Sequence, residues 1–177
     1  MNAINMTAEL FVRNQEEIIT ISDSDAEKMR KEVLSATDVN TVMQKLANGM
    51  VSKFSAARRF DEMLDIIHEL HLRPFMAPAE ANLFLKQGAI CESMRDYSLA
   101  MDYYAMGIQA YATMIEPDQE EGYWLFNNSA FCYNYERLFQ GGQKQTNKAI
   151  SLNGEQYNAW KNLGVSLTMV RSAGHFN

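Results

Sequence analysis

Apolar residues recur every three or four positions along most of this 177-residue chain, in windows longer than ten residues. This spacing places them on one face of a helix, and it predicts an all-α protein. Pro74, Pro78 and Pro117 fall between the windows, where helices are expected to begin or end. The predicted helices cover about residues 24–36, 41–57, 60–71, 79–93, 96–115, 120–134, 137–151 and 156–171.

The first forty residues have a weaker pattern. Residues 18–21 form a β-branched run that is compatible with a strand, with a helix start or with an adhesive arm. Asp23 or Ser24 caps the helix that follows, and the apolar set of that helix is small: Met29, Val33 and Leu34. We therefore expect residues 1–40 to form an N-terminal arm with one surface helix, and residues 41–177 to form a domain of helical repeats.

Two segments near the C-terminus carry a resemblance to a known family. The residues WKNLG at 160–164, preceded by AISLNG at 149–154, resemble the junction between two tetratricopeptide (TPR) repeats, whose period is about 34 residues. Ala130 lies 34 residues before Gly164, Gly88 lies 42 before Ala130, and Val51 lies 37 before Gly88. A small residue at this position lets a second helix approach to roughly 8–10 Å. The resemblance covers about residues 44–177.

The resemblance implies a right-handed superhelix of αα-hairpins, a TPR-like α-solenoid with about three and a half repeats. The chain departs from the family pattern because Gly154 replaces the usual proline, Gly142 stands where alanine is usual, and the fourth unit has a first helix but no second. An uncovered last helix would expose Leu163, Leu167 and Met169. Self-association through the terminal helices is thus a hypothesis, which a monomer in concentrated sedimentation runs would exclude.

In this family the first helices line a concave face, and that face holds an extended peptide or a partner's helix. The helical register gives these candidates for a peptide-binding groove: Asn48, Asn82, Lys86, Asn127, Asn128, Phe131, Asn134, Lys161 and Asn162, with Lys45, Glu92 and Asn158 beside them. Asparagine amides donate and accept, so they suit the backbone of an extended chain. The three lysines would make the groove locally positive, so we expect a protein or peptide partner with acidic residues or a free C-terminus. The alternative is that the inner face is polar only because it is solvated.

Composition narrows the function classes. The chain has 22 acidic and 16 basic residues, a formal charge of −6, and this balance repels the phosphates of nucleic acids. No stretch approaches the ~20 apolar residues of a membrane span, so we expect no membrane insertion. Cys91 and Cys132 lie inside apolar helical patterns, as expected of buried thiols in a reducing compartment. We therefore expect a cytoplasmic protein.

Candidate catalytic and metal-binding residues are few. Gly141-Gly142-Gln143 matches the catalytic tripeptide of peptide-release factors, but we expect its glycines only to start a helix. His68 and His71 lie three apart without a third convincing metal ligand. We expect no enzyme, no metal and no cofactor. The favoured function is a non-catalytic protein-interaction module. The alternative is a dedicated chaperone that resembles the small acidic repeat-containing chaperones of bacterial type III secretion.

Overall fold

The structure, a computed structural model, describes residues 20–173. Every regular element in that range is helical, which confirms the all-α prediction. The α-helices are α1 (Asp23–Leu34), α2 (Val39–Lys45), α3 (Val51–Ala56), α4 (Phe60–His71), α5 (Glu80–Met94), α6 (Tyr97–Ala112), α7 (Gln119–Tyr135), α8 (Phe139–Leu152) and α9 (Tyr157–Ala173). A 3₁₀ helix, Pro74–Ala79, leads into α5. Part of the β-branched run, residues 18 and 19, lies outside the described range.

Side-chain caps set where several helices begin. The Asp96 carboxylate accepts the N–H of the third residue of α6 at 3.0 Å, and Ser22 Oγ accepts the N–H of Asp25 at 3.1 Å. Each oxygen satisfies a donor that has no partner inside its helix. The sequence placed the cap of α1 at Asp23 or Ser24. That prediction is wrong by one or two residues, because the extended backbone that a cap requires occurs at Ser22.

Helix α1 packs on the helices that follow it. Its Ala26 and Val33 are buried in one apolar cluster with residues from α2 to α5, and Met29 packs on that cluster from the edge. Arg30 adds an ion pair with Glu69 of α4. The surface helix expected in the N-terminal arm is therefore anchored to the core by two small apolar side chains.

The single helix predicted for residues 41–57 is broken in the structure. A kinked segment, Leu46–Met50, separates α2 from α3, and within it Gly49 has a φ of 91° while Asn48 also leaves helical geometry. Glycine adopts this left-handed region without steric cost, which a side chain would incur. Leu46 and Met50 are both buried despite the kink. The spacing of apolar residues along the sequence therefore does not reveal the break.

Three hairpins share one turn geometry. In the described part of the chain, the only non-glycine residues with positive φ are Arg58, Arg95 and Arg137, with φ of 58°, 64° and 60°. In each turn the N–H of the next residue donates to the carbonyl five residues before it, at 2.9, 2.9 and 2.8 Å respectively. This pattern is the left-handed cap that ends many helices. Pairs α3–α4, α5–α6 and α7–α8 therefore reverse direction in the same way.

The C-terminal helices pack mainly on their neighbours in the chain. Helix α7 also contacts both α5 and α9. Helix α6 packs against α5 and α7, and α8 packs against α7 and α9. No helix in residues 20–173 is both long and apolar enough to cross a bilayer.

Small residues allow the close helix contacts, with one exception. A Cβ added to Gly88 of α5 would overlap the ring of Tyr104 on α6. Ala130 of α7 is fully buried, as the spacing predicted. A Cβ added to Gly164 of α9 would meet no atom of another element within 4 Å in the described part of the chain. The small residue of α9 thus has no packing partner among residues 20–173, whereas Gly88 faces Tyr104 and Ala130 is buried.

Candidate functional site

A cleft of about 420 Å³ lies across α5, α7 and α9. This volume falls in the range typical of ligand sites in proteins. Eleven side chains line the cleft: Glu92 from α5, then Trp124, Asn127, Asn128, Phe131, Asn134 and Tyr135 from α7, and Asn158, Lys161, Asn162 and Val165 from α9. Helix α7 thus supplies the floor, and the other two helices supply the walls.

The floor combines aromatic rings with an amide. Trp124, Asn128, Phe131 and Tyr135 follow one another at spacings of three and four residues, so they share one face of α7. Phe131 is 39% exposed and Tyr135 is 56% exposed. The ring of Tyr97 from α6 lies 3.8 Å from Tyr135 and 5.9 Å from Phe131 between ring centroids. At one end of the cleft, the exposed rings of Phe131 and Tyr135 are therefore supported by the half-buried ring of Tyr97.

Three of the predicted groove asparagines are buried between helices. Asn162 Nδ2 of α9 donates to the backbone oxygen and to Oδ1 of Asn127 on α7, both at 3.1 Å. Asn134 Nδ2 donates to the backbone oxygen of Asn162 at 2.9 Å, and Ser166 Oγ donates to Asn134 Oδ1 at 2.6 Å. These amides join α7 to α9. The expected row of free amides is thus replaced here by hydrogen bonds inside the protein.

Glu92 supplies a partly buried carboxylate to one wall. The hydroxyl of Tyr104 on α6 donates to Glu92 Oε1, and the Cys132 thiol of α7 is a second donor. Burial raises the pKa of Glu92, and these two hydrogen bonds oppose that rise. The carboxylate is thus held in position by neutral groups.

The three predicted lysines do not lie together. Lys161 lines the cleft from α9 and is exposed. Lys86 is half-buried near Glu121, and burial lowers the pKa of its ammonium group. Lys45 borders a separate hollow with Asn48, next to the kink. Of the expected positive groove, only Lys161 therefore contributes to the cleft.

A second polar cluster lies at the N-terminal ends of α5 and α7. Asn82 Nδ2 donates to Glu121 Oε2 at 2.7 Å. Burial raises the pKa of the Glu121 carboxyl, whereas this hydrogen bond and the nearby Lys86 ammonium lower it. Asn82 Oδ1 and Glu121 Oε1 are buried without a hydrogen-bond partner among residues 20–173. Buried acceptors of this kind need a donor, from water or from a ligand.

The structure therefore divides the nine predicted groove residues into three groups. Asn127, Asn128, Phe131, Asn134, Lys161 and Asn162 line the cleft. Asn82 and Lys86 belong to the cluster around Glu121, and Asn48 lies at the kink. Trp124, Tyr135 and Val165 were missed, although steps of three or four residues from Asn128, Phe131 and Lys161 point to each of them.

The histidines, cysteines and glycines named as candidates lie outside the cleft lining. His71 Nε2 lies 2.9 Å from Gln87 Oε1, and its ring packs on Phe84. Both cysteines are buried and unpaired, and burial raises the pKa of the Cys91 thiol to about 11. Gly141 and Gly142 lie in the first turn of α8. Within the described range no three histidine, cysteine or acidic side chains gather as metal ligands would.

Comparisons of the chain with models of known families, with curated proteins and with solved structures find no match. The cleft and its side chains are therefore the basis for proposing a function.

Proposed function

We propose that this protein is a non-catalytic interaction module that holds a segment of a partner protein in the cleft between α5, α7 and α9. The observation that carries the proposal is the cleft floor, where the exposed rings of Phe131 and Tyr135 lie beside the amide of Asn128. Aromatic side chains are enriched in protein-binding surfaces because they bury a large area with few rotatable bonds. Buried floor asparagines already bonded to α9 make this surface rigid before a partner arrives.

The dimensions of the floor suit an extended peptide. From Trp124 to Tyr135 the face of α7 spans eleven residues, which is about 16 Å of helix. An extended chain covers that length with about five residues. A short linear segment is therefore the occupant that the cleft fits best.

We propose in addition that the helices form a TPR-like superhelix. Three hairpins with the same left-handed arginine turn support a repeat, and the turns are 37 and 42 residues apart, the same spacings that separate Val51, Gly88 and Ala130. Helix α7 contacts both α5 and α9, whereas α6 and α8 make little contact with each other. With α6 and α8 as a second layer, the array is closer on the side of α5, α7 and α9 and curves toward that side. The cleft would then lie on the concave face.

The proposal is tested by selecting peptides on the full-length protein and measuring how variants bind them. We expect a selected fluorescent peptide to bind Phe131→Ala about tenfold more weakly than the parent, because an aromatic anchor is lost from the centre of the cleft. Asn128→Ala is expected to weaken binding as well, and Lys86→Ala too if the peptide reaches the Glu121 cluster. Fluorescence anisotropy gives the affinities, and circular dichroism checks that helicity and melting are unchanged.

The matched control is Met106→Ala. Met106 is an exposed apolar residue of α6, outside the residues that line the cleft. Its removal should leave peptide affinity within twofold of the parent. Equal affinities for the parent, Phe131→Ala and Asn128→Ala would show that the peptide binds elsewhere, and the proposed function would be abandoned.

The dedicated chaperone remains the alternative. It is favoured by the apolar side chains that α9 leaves exposed, among them Leu167 and Met169. Such a chaperone would be encoded beside its client and would keep that client soluble when the two are expressed together. An interaction module without chaperone function would bind its segment but leave the solubility of the whole partner unchanged.

A further inference from the structure

We propose that Glu92 determines which segment the cleft accepts, by pairing with a lysine or arginine side chain of the partner. This inference rests on the proposed function and names the chemistry of the occupant. The charge of the cleft wall near α5 would then be met by an opposite charge on the peptide. The expectation from sequence was the reverse, a groove whose lysines attract an acidic partner.

The first support is the position of Glu92. It lies in the last turn of α5, lines the cleft and is partly buried. The C-terminal end of a helix carries a partial negative charge, which makes this place unfavourable for a carboxylate and favourable for a cation. A basic group that entered the cleft here would interact with both the carboxylate and the helix end.

The second support is the set of neighbours. Tyr104 and Cys132 donate hydrogen bonds to the carboxylate, but both are neutral. In residues 20–173 the ion pairs within 4.0 Å involve other carboxylates, and none includes Glu92. Lys161 lines the cleft too, but it extends from α9 on another wall. The carboxylate is thus oriented without being neutralised.

The energetic consequence favours a cationic ligand. A carboxylate partly removed from water loses solvation that neutral donors restore only in part. An ammonium or guanidinium group restores it more fully, and the attraction is stronger in a cleft from which the peptide excludes water. Peptides with a basic residue at the right position should therefore bind more tightly than those with a neutral residue of similar size.

A purely structural role for Glu92 makes a different prediction. Glu92 accepts the Tyr104 hydroxyl and so helps to hold α6 on α5. In Glu92→Gln the amide oxygen still accepts that hydrogen bond, and the shape of the side chain is kept. A structural anchor would therefore be preserved in this variant, whereas the charge that selects a basic peptide would be lost.

The experiment uses random peptides of about seven residues displayed on phage and selected on the full-length protein. The best selected peptide is synthesised with its basic residue and with glutamine in that place. Both peptides are titrated into the parent, Glu92→Gln and the control Glu116→Gln, whose parent residue is exposed in the loop before α7. We expect the peptide substitution to weaken binding about tenfold on the parent and on Glu116→Gln, but less than twofold on Glu92→Gln.

The outcomes separate the two proposals. If the selected peptides need Phe131 but carry no basic residue, or if their basic preference survives Glu92→Gln, this inference is overturned and the interaction module stands. If no peptide depends on Phe131, both are overturned. Loss of the basic preference in Glu92→Gln, with the helix content measured by circular dichroism unchanged, supports the pairing.

Discussion

Gly88 is a position where one methyl group should matter. Its missing Cβ leaves room for the ring of Tyr104, and alanine there would overlap that ring. Because both residues lie in helices with little freedom to move apart, we expect Gly88→Ala to lower the free energy of unfolding by about 1–3 kcal/mol. Urea denaturation followed by circular dichroism measures the change.

The matched control is Gly164→Ala on α9. Apart from the adjoining helix backbone, no atom of residues 20–173 lies within 4 Å of the Cβ that this substitution adds. Alanine is the better helix former, so the control should raise the free energy of unfolding by about 0.5–1 kcal/mol. Equal destabilisation by the two substitutions would contradict the packing described for α5 and α6.

Glu92 also has a predicted effect on the pH dependence of stability. Burial raises the pKa of its carboxyl group in the folded protein, so at neutral pH the ionised form opposes folding. Glu92→Gln removes that charge and is expected to melt at a higher temperature than the parent at pH 7. As pH falls through the raised pKa of Glu92, the parent becomes neutral at this site and the difference between the two proteins shrinks.

Thermal melts of both proteins between about pH 8 and pH 4 measure this difference. The exposed Glu116→Gln should follow the parent at every pH, which separates Glu92 from the other carboxylates. If the melting temperature of Glu92→Gln instead rose further above that of the parent on acidification, the folded protein would be stabilising the charged form of Glu92.

At the scale of elements, Asn162 attaches the last helix to the array. Its amide donates twice to Asn127 on α7, and both residues are buried. Asn162→Ala leaves the Asn127 oxygens without these donors, which should lower the free energy of unfolding by about 1–3 kcal/mol. Hydrogen exchange should accelerate in α9 more than in α5 or α6.

The control for this substitution is Asn158→Ala, one turn earlier on the same helix. Asn158 is exposed, so its amide can be satisfied by water. Exchange in α9 should then stay close to that of the parent. If both substitutions speed exchange equally, α9 is held by contacts other than the Asn127 pair.

Helix positions could be predicted from the sequence because two local signals agree. The apolar spacing marks each helix, and in the structure the Asp96 and Asp118 carboxylates cap α6 and α7 within one residue of the predicted starts. The break at Gly49 escaped because a single glycine inside a regular apolar pattern fits an unbroken helix equally well. The spacing of apolar residues does not determine the backbone φ angle that tertiary packing selects at Gly49.

The candidate site was predictable in part, for a related reason. Helical register placed Phe131, Asn128 and Lys161 on the face that borders the cleft. Register placed Asn134 and Asn162 on the same face, but their amides are buried in contacts between α7 and α9. Register tells which side a residue is on, but the depth to which a neighbouring helix covers that side depends on packing. The charge environment of Glu92 likewise comes from three helices.

At the scale of the whole molecule, α9 exposes apolar side chains within the part of the chain that the structure describes. Leu167 is 41% exposed and Met169 is 47% exposed, whereas Leu163 is half-buried. Self-association through this side stays a prediction. We expect the sedimentation coefficient to increase with protein concentration. Leu167→Glu should keep the protein monomeric, because burying a charge in the contact would cost free energy. A concentration-independent monomer of the parent would end the hypothesis.

Replacing the three arginines in the hairpin turns should make the molecule more stable to heat. Each side chain in the left-handed region raises the energy of the folded backbone by on the order of 1 kcal/mol relative to glycine. Arg58, Arg95 and Arg137 lie at the ends of hairpins and are all exposed. Glycine at these corners would relax the backbone without altering the cleft lining, which offers an engineering route to a more robust form of the same binding surface.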